Sequence, residues 1–167
     1  MSRVVIITGT QSFEDFDLVE KSLLKYLKDH CLEIDEVEIV ASSAPGANKI
    51  GEALAEKYHL PLSKFYEIPE AYGVAAAWVR NEQMAEYAED RNGLVLAFWD
   101  GKSEETKSML RLAKKHNLEV HTVLYEGKPI SPKTALDINA VFGLQGEGGV
   151  VDNLNDLYDL DPSIRSN

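Results

Sequence analysis

The stretch Val4-Val5-Ile6-Ile7-Thr8-Gly9 decides the fold. Consecutive β-branched apolar residues leave no polar face, so the run reads as a strand buried on both sides. It stops at a glycine, where the chain can turn sharply. Phe16, Val19, Leu23 and Leu27 then recur at helical spacing, with Asp15 placed as N-cap. The alternation continues down the chain. Val37, Ile39 and Ala41 mark a second strand. Gly46 to Tyr58 reads as a helix with Ile50, Leu54 and Tyr58 on one face, and Leu62 to Ile68 as a third strand. Ala75 to Ala88 is alanine-rich and helical, with Ala77, Met84 and Ala88 on a common stripe. Leu94 to Trp99 is a buried strand, and Ser103 caps a helix carrying Met109, Leu112, Ala113 and His116. Val120 to Tyr125 is a fifth strand. Strands separated by helices in this way predict right-handed βαβ crossovers. The fold class is therefore α/β, a Rossmann-like three-layer domain over 1–128 with a central five-stranded, mainly parallel sheet.

Beyond that domain the pattern changes. Pro129 and Pro132 end it, and Gly143, Gly146, Gly148 and Gly149 form a glycine-rich stretch. Val150, Val151, Leu154, Leu157 and Tyr158 recur at helical spacing among Asp152, Asp156, Asp159 and Asp161. Residues 129–167 thus read as an acidic C-terminal extension rather than an independent domain. Three readings stand for its apolar residues: a short helix or strand packed on the domain or a dimer mate, an acidic peptide over 144–161 for a protein partner, or disorder.

The chain has 167 residues and a net charge of −11, of which −7 falls on 1–128 and −4 on 129–167. Such a field repels duplex nucleic acid and anionic membrane surfaces. No run approaches the ~18 apolar residues of a membrane span. Cys31 is the single cysteine, which excludes an internal disulfide and fits the reducing cytoplasm. His30, His59, His116 and His121 show no metal-ligand spacing, so no metal is expected. Neither a Gly-x-x-x-x-Gly-Lys-Ser/Thr loop nor a Gly-x-Gly-x-x-Gly fingerprint is present, and no cofactor is implied.

Four segments carry the functional signal. Three follow strands: Gly9, Thr10 and Gln11 in Gly9–Asp15, then Ser42, Ser43, Gly46 and Asn48, then Asp100, Gly101, Ser103 and Thr106. The fourth is Arg80-Asn81 on a helix. Small residues at strand ends let a backbone approach a phosphate or sugar, and a following helix start favours an anion. Arg80 can grip a phosphate or carboxylate bidentately. Against this, Asp15 reads as a plain helix cap, and Glu104 and Glu105 are ordinary dipole-matched residues for a helix first turn that also repel phosphate. If the first and fourth strands are neighbours, Gly9–Asp15 and Asp100–Thr106 flank the crevice where such sheets bind ligands. No Ser-His-Asp, Cys-His or paired-carboxylate arrangement follows from the spacing, so no catalytic residue is assigned.

The order of these segments resembles the SLOG superfamily, which joins the DNA-processing SMF/DprA proteins and the LOG phosphoribohydrolases. The branch it is most similar to is the small YspA/YpsA-related proteins of bacteria and phages. Gly9, Phe13 and Asp15 match that branch's first motif, with Gln11 where arginine is usual. Ala44, Gly46 and Ala47 match the second, with Ser42 and Ser43 for its glycines, Pro45 for its arginine and Asn48 for its aspartate. Arg80, Asn81 and Met84 match the third. Trp99, Asp100, Gly101, Ser103 and Thr106 match the fourth, with Glu105 for its glycine. The resemblance spans residues 4–125 and implies binding or sensing of a nucleotide-derived small molecule, self-association, and a cytoplasmic setting, that of the host if the chain is phage-encoded. Met109 stands where the LOG enzymes carry a glutamate, which implies binding without strong catalysis. Two alternatives remain open. One is an N-glycosidic-bond hydrolase drawing its carboxylate from Asp100, Asp15 or Glu105. The other is a protein-interaction module that uses the acidic extension.

Overall fold

The computed structural model describes residues 2–124 and the backbone of residues 150–151. The strands are β1 (Arg3–Gly9), β2 (Val37–Ser42), β3 (Leu62–Phe65), β4 (Leu94–Trp99), β5 (Glu119–Leu124) and β6 (Val150–Val151). The helices are α1 (Phe16–Asp29), α2 (Ala47–Lys57), the single-turn α3 (Pro69–Tyr72), α4 (Ala76–Glu89) and α5 (Glu104–Lys115). The sheet order is β3-β2-β1-β4-β5-β6. The first five strands in that order are parallel, as the βαβ alternation requires. β6 joins the far edge antiparallel to β5, pairing Val150 with Val123 and Val151 with Thr122. These two residues thus take the strand alternative. The remainder of the extension lies outside the described residues, as does the 144–161 peptide reading apart from them.

Hydropathy sets the order of the layers. Every residue of β1 and β4 is buried, so these two strands occupy the centre. Val5, Ile7, Leu96 and Phe98 turn to one face, where Val19, Leu23 and Leu54 of α1 and α2 cover them. Ile6, Val95, Ala97 and Trp99 turn to the other, under Met84 and Ala88 of α4 and Met109 and Leu110 of α5. Each such Ile or Leu contributes about 1.5–3 kcal/mol relative to an exposed position.

Three local expectations are corrected. β3 ends at Phe65 rather than Ile68, because its partner strand β2 ends opposite at Ser42 and leaves nothing to pair with. The buried stripe of α4 runs through Ala76, Arg80, Met84 and Ala88, not through Ala77. A core-facing arginine displaces the register that hydropathy alone suggests. Ser103 stands at the N-cap of α5, but its side chain bonds no backbone N–H there. Asp100 Oδ1 instead fixes the turn that leads into α5, accepting from the Lys102 and Ser103 amides at 2.8 Å each.

Candidate functional site

The direction in which successive strands are added to the sheet reverses between β1 and β4. From β1 the chain crosses through α1 and α2 on one face to β2 and β3, then through α4 and α5 on the other to β4 and β5. The carboxyl ends of β1 and β4 therefore form the topological switch point, where loops diverge and leave a crevice.

The loop after β1 is tied to β4. The Thr10 amide donates to the Phe98 carbonyl at 2.9 Å, and the Asp100 amide donates to Thr10 Oγ1 at 3.2 Å. Gly9 makes this closeness possible. A Cβ there would lie 2.3 Å from the Phe98 carbonyl oxygen and 2.9 Å from Ala47 Cβ. The loop after β2 closes against the same place. Gly46 has φ +82°, a left-handed conformation, and a Cβ on it would meet the Thr10 carbonyl oxygen at 2.4 Å. Ser42 and Asn48 lock that loop. The Ser42 amide donates to Asn48 Oδ1 at 3.1 Å, and the Ala44 amide donates to Ser42 Oγ at 3.2 Å. Phe13 is buried and stacks on Phe98 with centroids 5.0 Å apart, so it anchors the first loop to the core.

Arg80 and Asn81, on α4, face the start of α5. Asn81 Nδ2 donates to the Glu105 carbonyl at 3.2 Å. Arg80 Nε and Nη2 donate to Asn81 Oδ1 at 3.2 and 3.0 Å, and Nη1 donates to Glu67 Oε1 at 2.6 Å. Glu105 Oε2 lies 3.7 Å from Nη2. Glu105 therefore faces the guanidinium as a counter-charge. At ~4 Å and an effective dielectric of ~20, such a pair is worth about 4 kcal/mol before screening, and the exposure of Glu105 reduces it well below that. Ser103 and Thr106 join the same corner, with Thr106 Oγ1 donating to Ser103 Oγ at 3.3 Å and Trp99 Nε1 donating to the Ser103 carbonyl at 3.0 Å.

No family model matches this chain, and no curated protein matches it.

The geometry brings Gly9, Thr10, Ser42, Gly46, Asn48, Asp100 and Gly101 to the ends of three adjacent strands, with Gln11 and Ser43 on the same loops. Gln11 is exposed and Ser43 half-buried, while Gly101 turns the chain with φ +80°. Arg80, Asn81, Ser103 and Thr106 form a second group, linked to the first through Asp100. The three carboxylates open to a hydrolytic reading hold structural positions. Asp15 Oδ1 accepts from the Leu18 amide at 3.0 Å as the cap of α1, Asp100 shapes the turn into α5, and Glu105 faces Arg80.

Sequence reasoning missed Glu67, which no motif marks and which the third strand was expected to include. It also missed a polar cluster at the opposite, amino end of the sheet. Glu119 Oε2 accepts from Arg3 Nη2 at 2.5 Å and from Tyr26 Oη at 2.9 Å, and Arg3 Nη1 donates to the same tyrosine oxygen. His121 Nε2 lies 3.0 Å from Glu119 Oε1 and His30 Nε2 3.8 Å from it. The His121 contact first, and then Arg3 and Tyr26, outweigh burial and pull the Glu119 carboxyl down to about 2. His116 is engaged elsewhere, between Glu82 at 2.8 Å and Glu89 at 3.1 Å, and those carboxylates raise its pKa. Among the described residues, no group of three or more His, Cys, Asp and Glu side chains is placed to hold a metal ion. Among the same residues, no helix is long and apolar enough to cross a membrane.

Proposed function

We propose that this chain binds a nucleotide-derived small molecule in the crevice between the carboxyl ends of β1 and β4, as a divergent SLOG-like domain without strong catalysis. The observation that carries the reading is the switch point itself. Gly9, Gly46 and Gly101 bring three backbone turns together there, and Thr10 ties the first loop to Asp100. Backbone amides and a carboxylate held this way suit the hydroxyls and base edges of a nucleoside unit. The engaged states of Asp15, Asp100 and Glu105 support binding over hydrolysis.

The test is thermal denaturation with adenosine, AMP, ADP-ribose and NAD at millimolar concentration. The expected outcome is a rise in Tm with at least one of them. Amide resonances of Thr10, Asp100 and Gly101 should move in the same titration. Flat melting curves with all of them would sink the reading.

A further inference from the structure

The state of Arg80 bears on which part of a nucleotide the crevice accepts. A guanidinium that recognises phosphate keeps donors free for the incoming oxygens. Arg80 is 3% exposed, its Nε, Nη1 and Nη2 each already donate to Asn81 or Glu67, and Glu105 Oε2 stands 3.7 Å from Nη2 as a further counter-charge. One positive charge facing two carboxylates leaves the trio with a net negative charge. A phosphate entering here would have to expel Glu67 from a 2.6 Å contact and then sit beside both displaced carboxylates. The two helix starts that flank the switch point add to the field. α1 carries the Asp15 cap and Asp17 in its first turn, and α5 carries Glu104 and Glu105.

The same groups are well suited to a neutral, hydroxyl-bearing ligand. Glu67 and Glu105 side chains are 39% and 42% exposed, so their carboxylates reach solvent while touching Arg80. Each carboxylate has more acceptor sites than one guanidinium contact uses. A ribose diol offers donors and no charge, and a carboxylate is its natural acceptor.

We propose that the site takes an uncharged nucleoside in preference to its 5′-phosphate, with Glu67 and Glu105 as specificity-determining residues. This rests on the nucleotide-derived reading of the crevice given above.

The experiment is calorimetric titration of the full chain at low ionic strength with adenosine, guanosine, cytidine and uridine, each paired with its 5′-monophosphate. The expected result is that the best-bound nucleoside exceeds its monophosphate by about tenfold in affinity, a gap that narrows with added salt. In the Glu67→Gln/Glu105→Gln double variant the monophosphate should gain about tenfold relative to the nucleoside, which loses the charged acceptors for its diol. If the double variant fails to fold, Glu105→Gln alone should give a smaller gain in the same direction. A monophosphate equal to or tighter than its nucleoside in the unmodified chain overturns the inference and leaves the crevice reading standing. That result would place the phosphate away from Arg80, for instance at the start of α2, whose first turn holds no acid. A nucleoside preference that neither variant alters overturns the assignment to Glu67 and Glu105. Heat from none of the compounds overturns the crevice reading together with this one.

Discussion

Arg3 and Arg80 are buried arginines at opposite ends of the sheet, and their surroundings differ in one respect. At the amino end, Arg3 is 7% exposed and meets Glu119, whose two oxygens are shared among Arg3, Tyr26, His121 and His30. Tyr26 stacks on His30 at 4.0 Å and sits edge-on to His121 at 4.8 Å, so the rings that contact Glu119 also pack on one another. At the carboxyl end, the carboxylates facing Arg80 come from a connecting segment and a helix first turn, and Arg80 is the shared cation between them. The first cluster consumes its acceptor capacity internally and reads as a fastening. The second keeps acceptor capacity toward solvent, and that is what a binding site needs.

The largest expected effect falls on the carboxyl end. Gly9→Ala places a methyl against the Phe98 carbonyl oxygen, which is backbone and cannot swing aside. It should destabilise the fold by about 3 kcal/mol, read from urea unfolding. Next comes the direct contrast of the arginines. Arg3→Met should cost about 2–3 kcal/mol, because it strips the half-buried Glu119 carboxylate of its guanidinium donor. Arg80→Met should cost about 1 kcal/mol less, since its carboxylates can turn to water. Equal losses would break the comparison.

Acid unfolding sharpens it further. The Glu119 carboxyl is depressed from 4.5 to about 2, so its stabilisation is fully present above pH 4.5 and fades as pH falls toward 2. Its side chain is 36% exposed, so we discount the shift to about 1–2 kcal/mol. Glu119→Gln should lower stability at neutral pH by that amount and flatten the decline over that acid range. Smallest of all, Glu105→Gln should change stability by less than about 0.5 kcal/mol, as for an exposed ion pair. A larger loss would make Glu105 a fastening like Glu119.

Much of this molecule was legible in its residues. Val4 to Ile7 and Leu94 to Trp99 are apolar on both faces, and that pattern has few solutions other than central parallel strands. Asp15 is a helix cap in sequence and in space, because capping is decided within four residues. The correct setting of Arg80 was not legible. Hydropathy treats an arginine as solvent-facing, and only its partners across α5 and the segment after β3 let it sit on the buried stripe of α4. Glu67 escaped for the same reason, thirteen residues from the group it faces. The amino-end cluster joins Arg3, Tyr26 and the Glu119/His121 pair, and no local spacing links these three places.

The four motif segments keep their places at the carboxyl ends of the strands and beside α5, but their meaning shifts. Local sequence determined the strands, the helices, the parallel order and the glycines that shape the turns, since each depends on neighbours within a few residues. Tertiary structure decided the charge of the crevice. Coulomb interaction acts between residues that only the folded chain brings within a few ångströms, and there Glu67 and Glu105 set two carboxylates against the single Arg80 guanidinium.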